Sequence, residues 1–208
     1  MMKLKICGLT KPEEAKWVTD AGADYAGIVM YYPKSKRNME PAGARDIIKA
    51  LGENTKAVAV VVSPTKQQVQ EIEDCGFAII QIHGDLPKEV LEALHIPFIR
   101  AFNGENYEEI TKYEAIPNCK GFVFDAAEPG SGKTFDWDTL KAIPKTDKMF
   151  LLSGGLSVQN VENAMKSVLP DGVDVSSGVE YKDGRTGKDP DKIKLFSKIV
   201  KTFANGKK

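Results

Sequence analysis

The sequence contains few of the residues that build disulfide frameworks or structural metal sites. Its 208 residues include only three cysteines and two histidines. An odd number of cysteines with no CxxC pair argues against a disulfide framework and against a structural zinc site. We therefore expect a protein of a reducing compartment, the cytoplasm.

Long hydrophobic runs are also missing. The longest unbroken apolar run, Ala57–Val62, has six residues, whereas a helix that crosses a bilayer needs about 20. Met1–Leu9 lacks the apolar stretch of a secretory signal, so we expect the mature chain to start near Met1. These observations predict no membrane partner.

The chain carries no excess charge of either sign. Lys plus Arg and Asp plus Glu number 29 each, and 42% of the residues are hydrophobic. This composition is typical of a globular chain with a buried core. Without a global positive field we expect no nucleic-acid partner, and a small molecule recognised in a local site instead.

Eight short apolar runs recur along the chain and predict eight strands. They are Leu4–Cys7, Tyr25–Met30, Ala57–Val62, Phe77–Ile82, Pro97–Ala101, Gly121–Phe124, Met149–Leu152 and Val173–Val175. Helical patterns fill most of the gaps, as parallel βαβ units require. An open doubly wound sheet and a closed (β/α)8 barrel both fit, and eight regular units favour the barrel. We predict an α/β protein, a single (β/α)8 TIM barrel domain over residues 1–208.

Several helix starts have recognisable capping residues. Thr10 with Glu13 forms a capping-box pattern ahead of a helix predicted over Lys11–Ala21, and Thr65 with Gln68 repeats the pattern. Ser157 is a candidate cap for a further helix. The last helix is predicted to open at Asp189 and Pro190.

Polar residues at the carboxyl ends of the predicted strands are the candidates for chemistry, because barrel enzymes react at that face. Cys7 ends the first strand, His83 follows the fourth, Asp125 ends the sixth, and Asp174 lies near the end of the eighth. Taken alone, Cys7 fits a buried structural thiol better than a catalytic one, and His83 fits a hydrogen-bonded loop residue. Either aspartate fits a loop cap as well as an acid–base role.

Two consecutive loops of small residues follow the seventh and eighth predicted strands, where barrels bind phosphate. Tight turns explain one such loop more easily than two in succession. We therefore predict a phosphorylated substrate. The candidate phosphate ligands are Gly154, Gly155, Ser176, Ser177 and Gly178.

Ala127–Thr134 is one residue away from a nucleotide-binding P-loop, because Ala127 stands where the motif has its first glycine. A P-loop runs straight into a long helix, and Pro144 leaves room here for a short one only. The pattern favours a loop that closes over a substrate rather than a nucleotide hydrolase.

Several of these segments together resemble the phosphoribosylanthranilate isomerase family, in the same order and over nearly the whole chain. The matching motifs are Lys5–Thr10 (K-I-C-G-L-T), Pro33–Arg37 (P-K-S-K-R), Gln81–Gly84 (Q-I-H-G), Gly132–Trp137 (G-K-T-F-D-W), Ser153–Leu156 (S-G-G-L) and Gly172–Glu180 (G-V-D-V-S-S-G-V-E). The chain departs from the family pattern at Pro129 and Ser131, in the loop after the sixth predicted strand.

The resemblance implies an Amadori rearrangement of N-(5-phosphoribosyl)anthranilate to 1-(2-carboxyphenylamino)-1-deoxyribulose 5-phosphate, a step of tryptophan biosynthesis. It implies that Asp125 is the general acid and Cys7 the general base. Arg37 would hold the anthranilate carboxylate, Asp174 would bond substrate hydroxyls, and His83 would line the mouth. It implies no metal and no cofactor, because the substrate's own nitrogen forms the iminium that accepts electrons.

The implied roles require shifted pKa values. An unperturbed thiol has a pKa of about 8.5 and an aspartic acid one of about 3.9. A general base must be deprotonated and a general acid protonated before reaction. We predict a lowered pKa for Cys7 and a raised one for Asp125.

Other readings stay open at this level. A histidine-pathway ribotide isomerase normally has aspartates at the first and fifth strands, where this chain has Cys7 and Arg100. A pentose phosphate epimerase needs several metal ligands, and His83 alone is too few. A catalytically silent phosphosugar-binding protein is the third alternative. Arg100 is predicted to reach a second anionic group. We expect the protein to be a monomer or a homodimer.

Overall fold

The computed structural model describes residues 2–103, 109–125, 140, 143 and 146–206. The P-loop-like segment 127–134, with Pro129 and Ser131, and the G-K-T-F-D-W motif lie outside these ranges. The strands are β1 Lys3–Cys7, β2 Tyr25–Met30, β3 Asn38–Met39, β4 Lys56–Val62, β5 Ile79–His83, β6 Phe98–Asn103, β7 Cys119–Asp125, β8 Met149–Leu152 and β9 Gly172–Val175. The helices are α1 Pro12–Asp20, α2 Pro41–Lys49, α3 Lys66–Asp74, α4 Lys88–Leu91, α5 Ile110–Glu114, α6 Val161–Val168, α7 Pro190–Asn205 and a 3-10 helix at Ser177–Val179.

Eight of the strands close into a ring in which every pair is parallel. The order is β1, β9, β8, β7, β6, β5, β4, β2, and β2 pairs with β1 to complete the circle. Within the described part of the chain, strand β3 pairs only with β2, outside the ring. It was not predicted because two residues are too few to form an apolar run. The predicted α/β fold, a (β/α)8 barrel, is confirmed.

Tyr25–Met30 and Met149–Leu152 have the predicted limits, and the other six predicted strands differ from the structure by one or two residues at one end or both. The strand predicted from Phe77 begins at Ile79, because Phe77 is a buried loop residue whose side chain packs in the core outside the sheet. Strand β6 continues past Ala101 to Asn103, which pairs with Asp125 of β7. The longer β6 and β7 carry Asp125 to the carboxyl edge of the barrel.

The capping predictions are confirmed at two helices and wrong at one. Thr65 Oγ1 accepts from the Gln68 backbone N–H at 3.2 Å, and the Asp189 side chain accepts from backbone N–H groups in the first turn of α7. At α1 the carboxylate that accepts from Thr10 N–H, at 2.6 Å, belongs to Glu14 and not to Glu13. Glu14 does this because it faces the interior, where its other oxygen accepts from Lys188 N–H.

The Ser157 hydroxyl accepts from the Gln159 N–H at 3.3 Å. It caps the turn that leads into α6 rather than the first residue of the helix.

Two apolar layers position the site. The larger layer packs the helices against the outside of the barrel. The smaller one fills the barrel interior and consists of Val58, Val60, Ile79, Ile99, Ala101, Val123 and Leu151. Successive strand residues point to opposite faces. Cys7, Asp125 and Asp174 therefore share the inner face with this second layer, at or near the carboxyl ends of their strands. Among the helices that the structure describes, none has the length and apolarity to span a membrane.

Candidate functional site

Cys7 ends β1 with its thiol directed over the neighbouring strand. An added Cβ at Gly27 would lie 2.7 Å from Cys7 Sγ, so glycine there leaves the space that the thiol occupies. The backbone carbonyl of Gly27 accepts from the N–H groups of Gly8 and Leu9. The Cys7 carbonyl accepts from the Ser176 hydroxyl at 3.0 Å. The β1 end is thus fixed from both neighbouring strands.

The pKa of the Cys7 thiol is raised above its ordinary value because burial disfavours the thiolate. The ammonium groups of Lys5 and Lys188 act in the opposite direction, and the Asp174 carboxylate adds to the rise. The predicted lowering of this pKa is therefore wrong for the free protein. The sequence shows Lys5 two positions from Cys7, but it shows neither that Lys188 lies nearby nor how completely the barrel removes water from the thiol.

Lys5 and Asp174 form an ion pair inside the barrel. Lys5 Nζ lies 2.6 Å from Asp174 Oδ2, and the two side chains are 0% and 4% exposed. The second carboxylate oxygen, Asp174 Oδ1, is buried and has no hydrogen-bond partner within the described part of the chain. It is an acceptor available to a ligand hydroxyl.

Asp125 is the last residue of β7, and its backbone pairs with Asn103 of β6. Alternation along β7 places Asp125 on the same inner face as Val123, which belongs to the interior layer. Around the ring, β7 is three strands away from β1. Cys7 and Asp125 therefore stand at the same edge of the barrel on two different sides of its mouth.

The two small-residue loops meet at this edge. Gly154 and Gly155 have φ values of 86° and 64°, a left-handed conformation that favours glycine. A Cβ on Gly178 would overlap the Leu156 carbonyl oxygen, so the loop after β9 lies against the loop after β8. The structure thus brings together the predicted phosphate ligands, with Ser177 and Gly178 in the 3-10 helix.

Arg37 lies beside these loops and contacts a residue that the sequence reasoning missed. Arg37 Nε donates to Glu180 Oε1 at 2.5 Å, and a Cβ on Gly8 would overlap Arg37 Cδ. Glu180 also pairs with Lys36 and Lys188, at 2.9 and 3.2 Å.

Although burial opposes the Glu180 charge, these cations lower the pKa of Glu180 to about 2. The only signal in the sequence was its place at the end of the last matching motif.

His83 ends β5 and is held by a neighbour on the same face of the strand. Gln81 Nε2 lies 2.9 Å from His83 Nε2. Gln81 is buried in the barrel, and its Oε1 has no hydrogen-bond partner among the described residues. The half-buried imidazole therefore lies at the mouth, as expected.

Arg100 does not reach the mouth. Its guanidinium donates to the carbonyls of Ile82, at 2.7 Å, and Gly84. It stacks over the rings of Phe102 and Tyr113 at 5.5 and 5.3 Å. The expectation of a second anion site at Arg100 is wrong, because alternation turns this residue to the helix side of β6. There it holds the carbonyls on either side of His83.

The other cysteines lie away from this edge. Cys75 and Cys119 are buried and free, and Cys75 caps the C-terminus of α3. Across the described ranges, no three His, Cys, Asp or Glu side chains are grouped so as to hold a metal ion.

Comparison with known proteins identifies the family. The family model described as "N-(5'phosphoribosyl)anthranilate (PRA) isomerase" matches residues 4–199. The chain belongs to the phosphoribosylanthranilate isomerase family. The N-(5'-phosphoribosyl)anthranilate isomerase of Aquifex aeolicus is 39% identical over 208 residues, covering 97% of this chain and 100% of the relative.

Solved structures of this family superpose over almost the whole chain. The isomerase of Thermotoga maritima is 35% identical with a TM-score of 0.83, covering 97% of this chain and 100% of the other. A family structure in complex with reduced 1-(o-carboxyphenylamino)-1-deoxyribulose 5-phosphate is 33% identical, with a TM-score of 0.81 and the same coverage.

Proposed function

We propose that this chain is a phosphoribosylanthranilate isomerase, which converts N-(5-phosphoribosyl)anthranilate to 1-(2-carboxyphenylamino)-1-deoxyribulose 5-phosphate. Membership in the family supports N-(5-phosphoribosyl)anthranilate as the substrate. The observation that carries the chemistry is the placement of one thiol, Cys7, and one carboxylate, Asp125, at the same barrel edge beside two glycine- and serine-rich loops. An aldose-to-ketose rearrangement of this kind uses a general acid and a general base, each within reach of the proton that it moves.

The reaction begins with ring opening. Asp125 donates its proton to the ribose ring oxygen, the bond from that oxygen to C1 breaks, and the anthranilate nitrogen supplies the electron pair that forms the iminium. Cys7 then takes the proton from C2, and the C2–H electrons form the enolamine. Tautomerisation to the ketone completes the isomerisation, in which substrate and product have the same atoms.

The raised pKa of Cys7 means that the free enzyme carries mostly thiol at neutral pH. The base must therefore lose its proton before or during substrate binding. Lys5 and Lys188 are the cations that favour the thiolate.

The remaining residues bind the ends of the substrate. The phosphate would lie against the backbone N–H groups of Gly154, Gly155 and the Ser176–Gly178 loop. Asp174 Oδ1 would accept a hydrogen bond from a ribose hydroxyl. The Arg37 guanidinium would bind the anthranilate carboxylate, because its planar fork matches a carboxylate.

His83 lines the mouth without a fixed role. We further propose that the enzyme works in the cytoplasm as one barrel domain, either as a monomer or as a homodimer, which sedimentation velocity would distinguish.

The test is turnover by the purified protein. Loss of phosphoribosylanthranilate fluorescence, with a product of unchanged mass that contains a ketone, is the expected result. Tight binding of the substrate without turnover would contradict the proposal and would favour a phosphosugar-binding protein. Calorimetry with Mg-ATP would test the nucleotide reading of residues 127–134.

A further inference from the structure

We infer that Glu180 is a positioning residue that presents Arg37 to the substrate carboxylate. Through Lys188, Glu180 also connects Arg37 to the phosphate loop, Ser176–Gly178. The inference rests on the proposed function and deepens it. In this role the buried Glu180 carboxylate helps the enzyme to select a substrate that carries an anionic group at each end.

The contact between Glu180 and Arg37 uses only one edge of the guanidinium. Arg37 Nε donates to Glu180 Oε1 at 2.5 Å, and no described residue hydrogen-bonds the two Nη atoms. A guanidinium bound at one edge keeps its plane fixed while the other donors stay available to a second carboxylate. Arginine side chains lose considerable rotamer freedom when they bind. Glu180 has already imposed that loss on Arg37 in the free protein.

Lys188 extends the contact toward the catalytic strand. Its side chain is fully buried, and its Nζ lies 3.2 Å from Glu180 Oε1. The same Nζ donates to the carbonyl and the hydroxyl of Ser176, at 3.1 and 3.3 Å. The Ser176 hydroxyl in turn donates to the Cys7 carbonyl. One continuous chain of contacts therefore joins Arg37, the phosphate loop and the end of β1.

The charges of this cluster favour an anionic ligand. Glu180 is 8% exposed and, among the described residues, is the one carboxylate that pairs with Lys36, Arg37 and Lys188. One negative charge among three positive ones leaves an excess of two positive charges. Lys36 is 73% exposed, so solvent screens it, whereas Arg37 and Lys188 are shielded from water. A substrate carboxylate placed on the free edge of Arg37 would balance part of this excess.

A purely structural role for Glu180 makes a different prediction. If Glu180 only neutralised the buried Lys188 charge, its loss would disturb the binding of every phosphosugar equally. If it positions Arg37, its loss affects only substrates with a carboxylate. An analogue without that group, N-(5-phosphoribosyl)aniline, separates the two roles.

The experiment compares kcat and KM of the parent and Glu180→Gln on both substrates. Loss of a charge-assisted contact corresponds to about 10- to 100-fold in affinity. We expect KM for phosphoribosylanthranilate to rise by about that factor with kcat within about threefold, because ground-state binding is what is lost. The constants for the aniline analogue should change by less than about threefold. In an Arg37→Ala background Glu180→Gln should add no further rise.

Controls distinguish the inference from other outcomes. Glu162→Gln makes the same chemical change at an exposed ion pair with Lys166 on α6, and it should leave both constants unchanged. Should Glu180→Gln fail to fold, Glu180→Asp keeps the charge but is too short to hold both Arg37 and Lys188, and it should show the same selective rise in KM.

An equal rise in KM for both substrates would overturn the inference but not the proposed function. An undiminished effect of Glu180→Gln in the Arg37→Ala background would do the same. Absence of turnover by the parent would refute the proposed function and the inference with it.

Discussion

Breaking the Lys5–Asp174 ion pair by removing one partner should strongly destabilise the protein. In Lys5→Met the Asp174 carboxylate loses its 2.6 Å partner at Oδ2, while Oδ1 is already without one within the described residues. The charge would then be buried with neither oxygen paired. Removal of one member of a buried ion pair costs about 3–5 kcal/mol. We expect Lys5→Met to lower the free energy of unfolding by about that amount.

Replacing both partners should restore most of the loss. Lys5→Met with Asp174→Leu removes both charges, and such double replacements are often close to neutral in stability. The coupling energy of the cycle should therefore be at least about 3 kcal/mol in magnitude. For a chain of this size each 1 kcal/mol shifts Tm by about 2–4 °C. The single variant should thus melt about 6–20 °C below the parent.

The assay is urea unfolding followed by fluorescence of the two tryptophans, of which Trp17 packs against the core on α1. Glu162→Gln serves as the surface control and should change the free energy by less than about 0.5 kcal/mol. A Lys5→Met loss below about 1 kcal/mol would refute the reasoning. A double variant as unstable as the sum of the singles would refute it as well.

Three further predictions concern the pKa values and the packing of the site. Because burial raises the pKa of Cys7, and the base must be deprotonated, kcat/KM should climb from neutral into alkaline pH; a plateau already reached below pH 7 would contradict this. The pKa of Glu180 is about 2, against an ordinary value of about 4.3. This lowering corresponds to about 3 kcal/mol of folding stability, which is fully present above pH ~4.3 and is lost as the pH falls through about 2. Urea unfolding between pH 2 and 5 should show this loss in the parent and a weaker pH dependence in Glu180→Gln. Gly27→Ala places a Cβ 2.7 Å from Cys7 Sγ, so it should displace the thiol and lower kcat by at least about tenfold. The same overlap should lower the free energy of unfolding by about 1–3 kcal/mol. An unchanged kcat would show that the thiol position is not critical.

The sequence predicts the barrel well because strand spacing is a local signal. Tyr25–Met30 and Met149–Leu152 have the predicted limits. The polar residue that ends a buried run, as Cys7 and Asp125 do, follows directly from the rule that barrel sites form at that edge. The catalytic roles of these two residues stay predictions.

Three features of the site depended on packing that the sequence does not display. Arg100 lies near the end of an apolar run, as Asp125 does, yet it pairs with Phe122, three positions before Asp125, and alternation therefore turns it to the helix side. The direction of the Cys7 pKa depends on how far burial exceeds the effect of nearby cations. Glu180 gains its importance only when the loop after β9 meets the loop that carries Arg37, 143 positions away in the chain. The predicted rise in the pKa of Asp125 stays a prediction.

The central claim is that Cys7 and Asp125 are the base and the acid of one reaction. The most direct measurement is the rate of phosphoribosylanthranilate turnover by Cys7→Ala and Asp125→Ala, with Cys75→Ala as a matched cysteine control and circular dichroism to verify folding. General acid–base catalysis contributes about 10²- to 10⁴-fold in rate. We expect a loss of that size in each site variant and none in Cys75→Ala. Parent-like turnover in both folded site variants would contradict the claim.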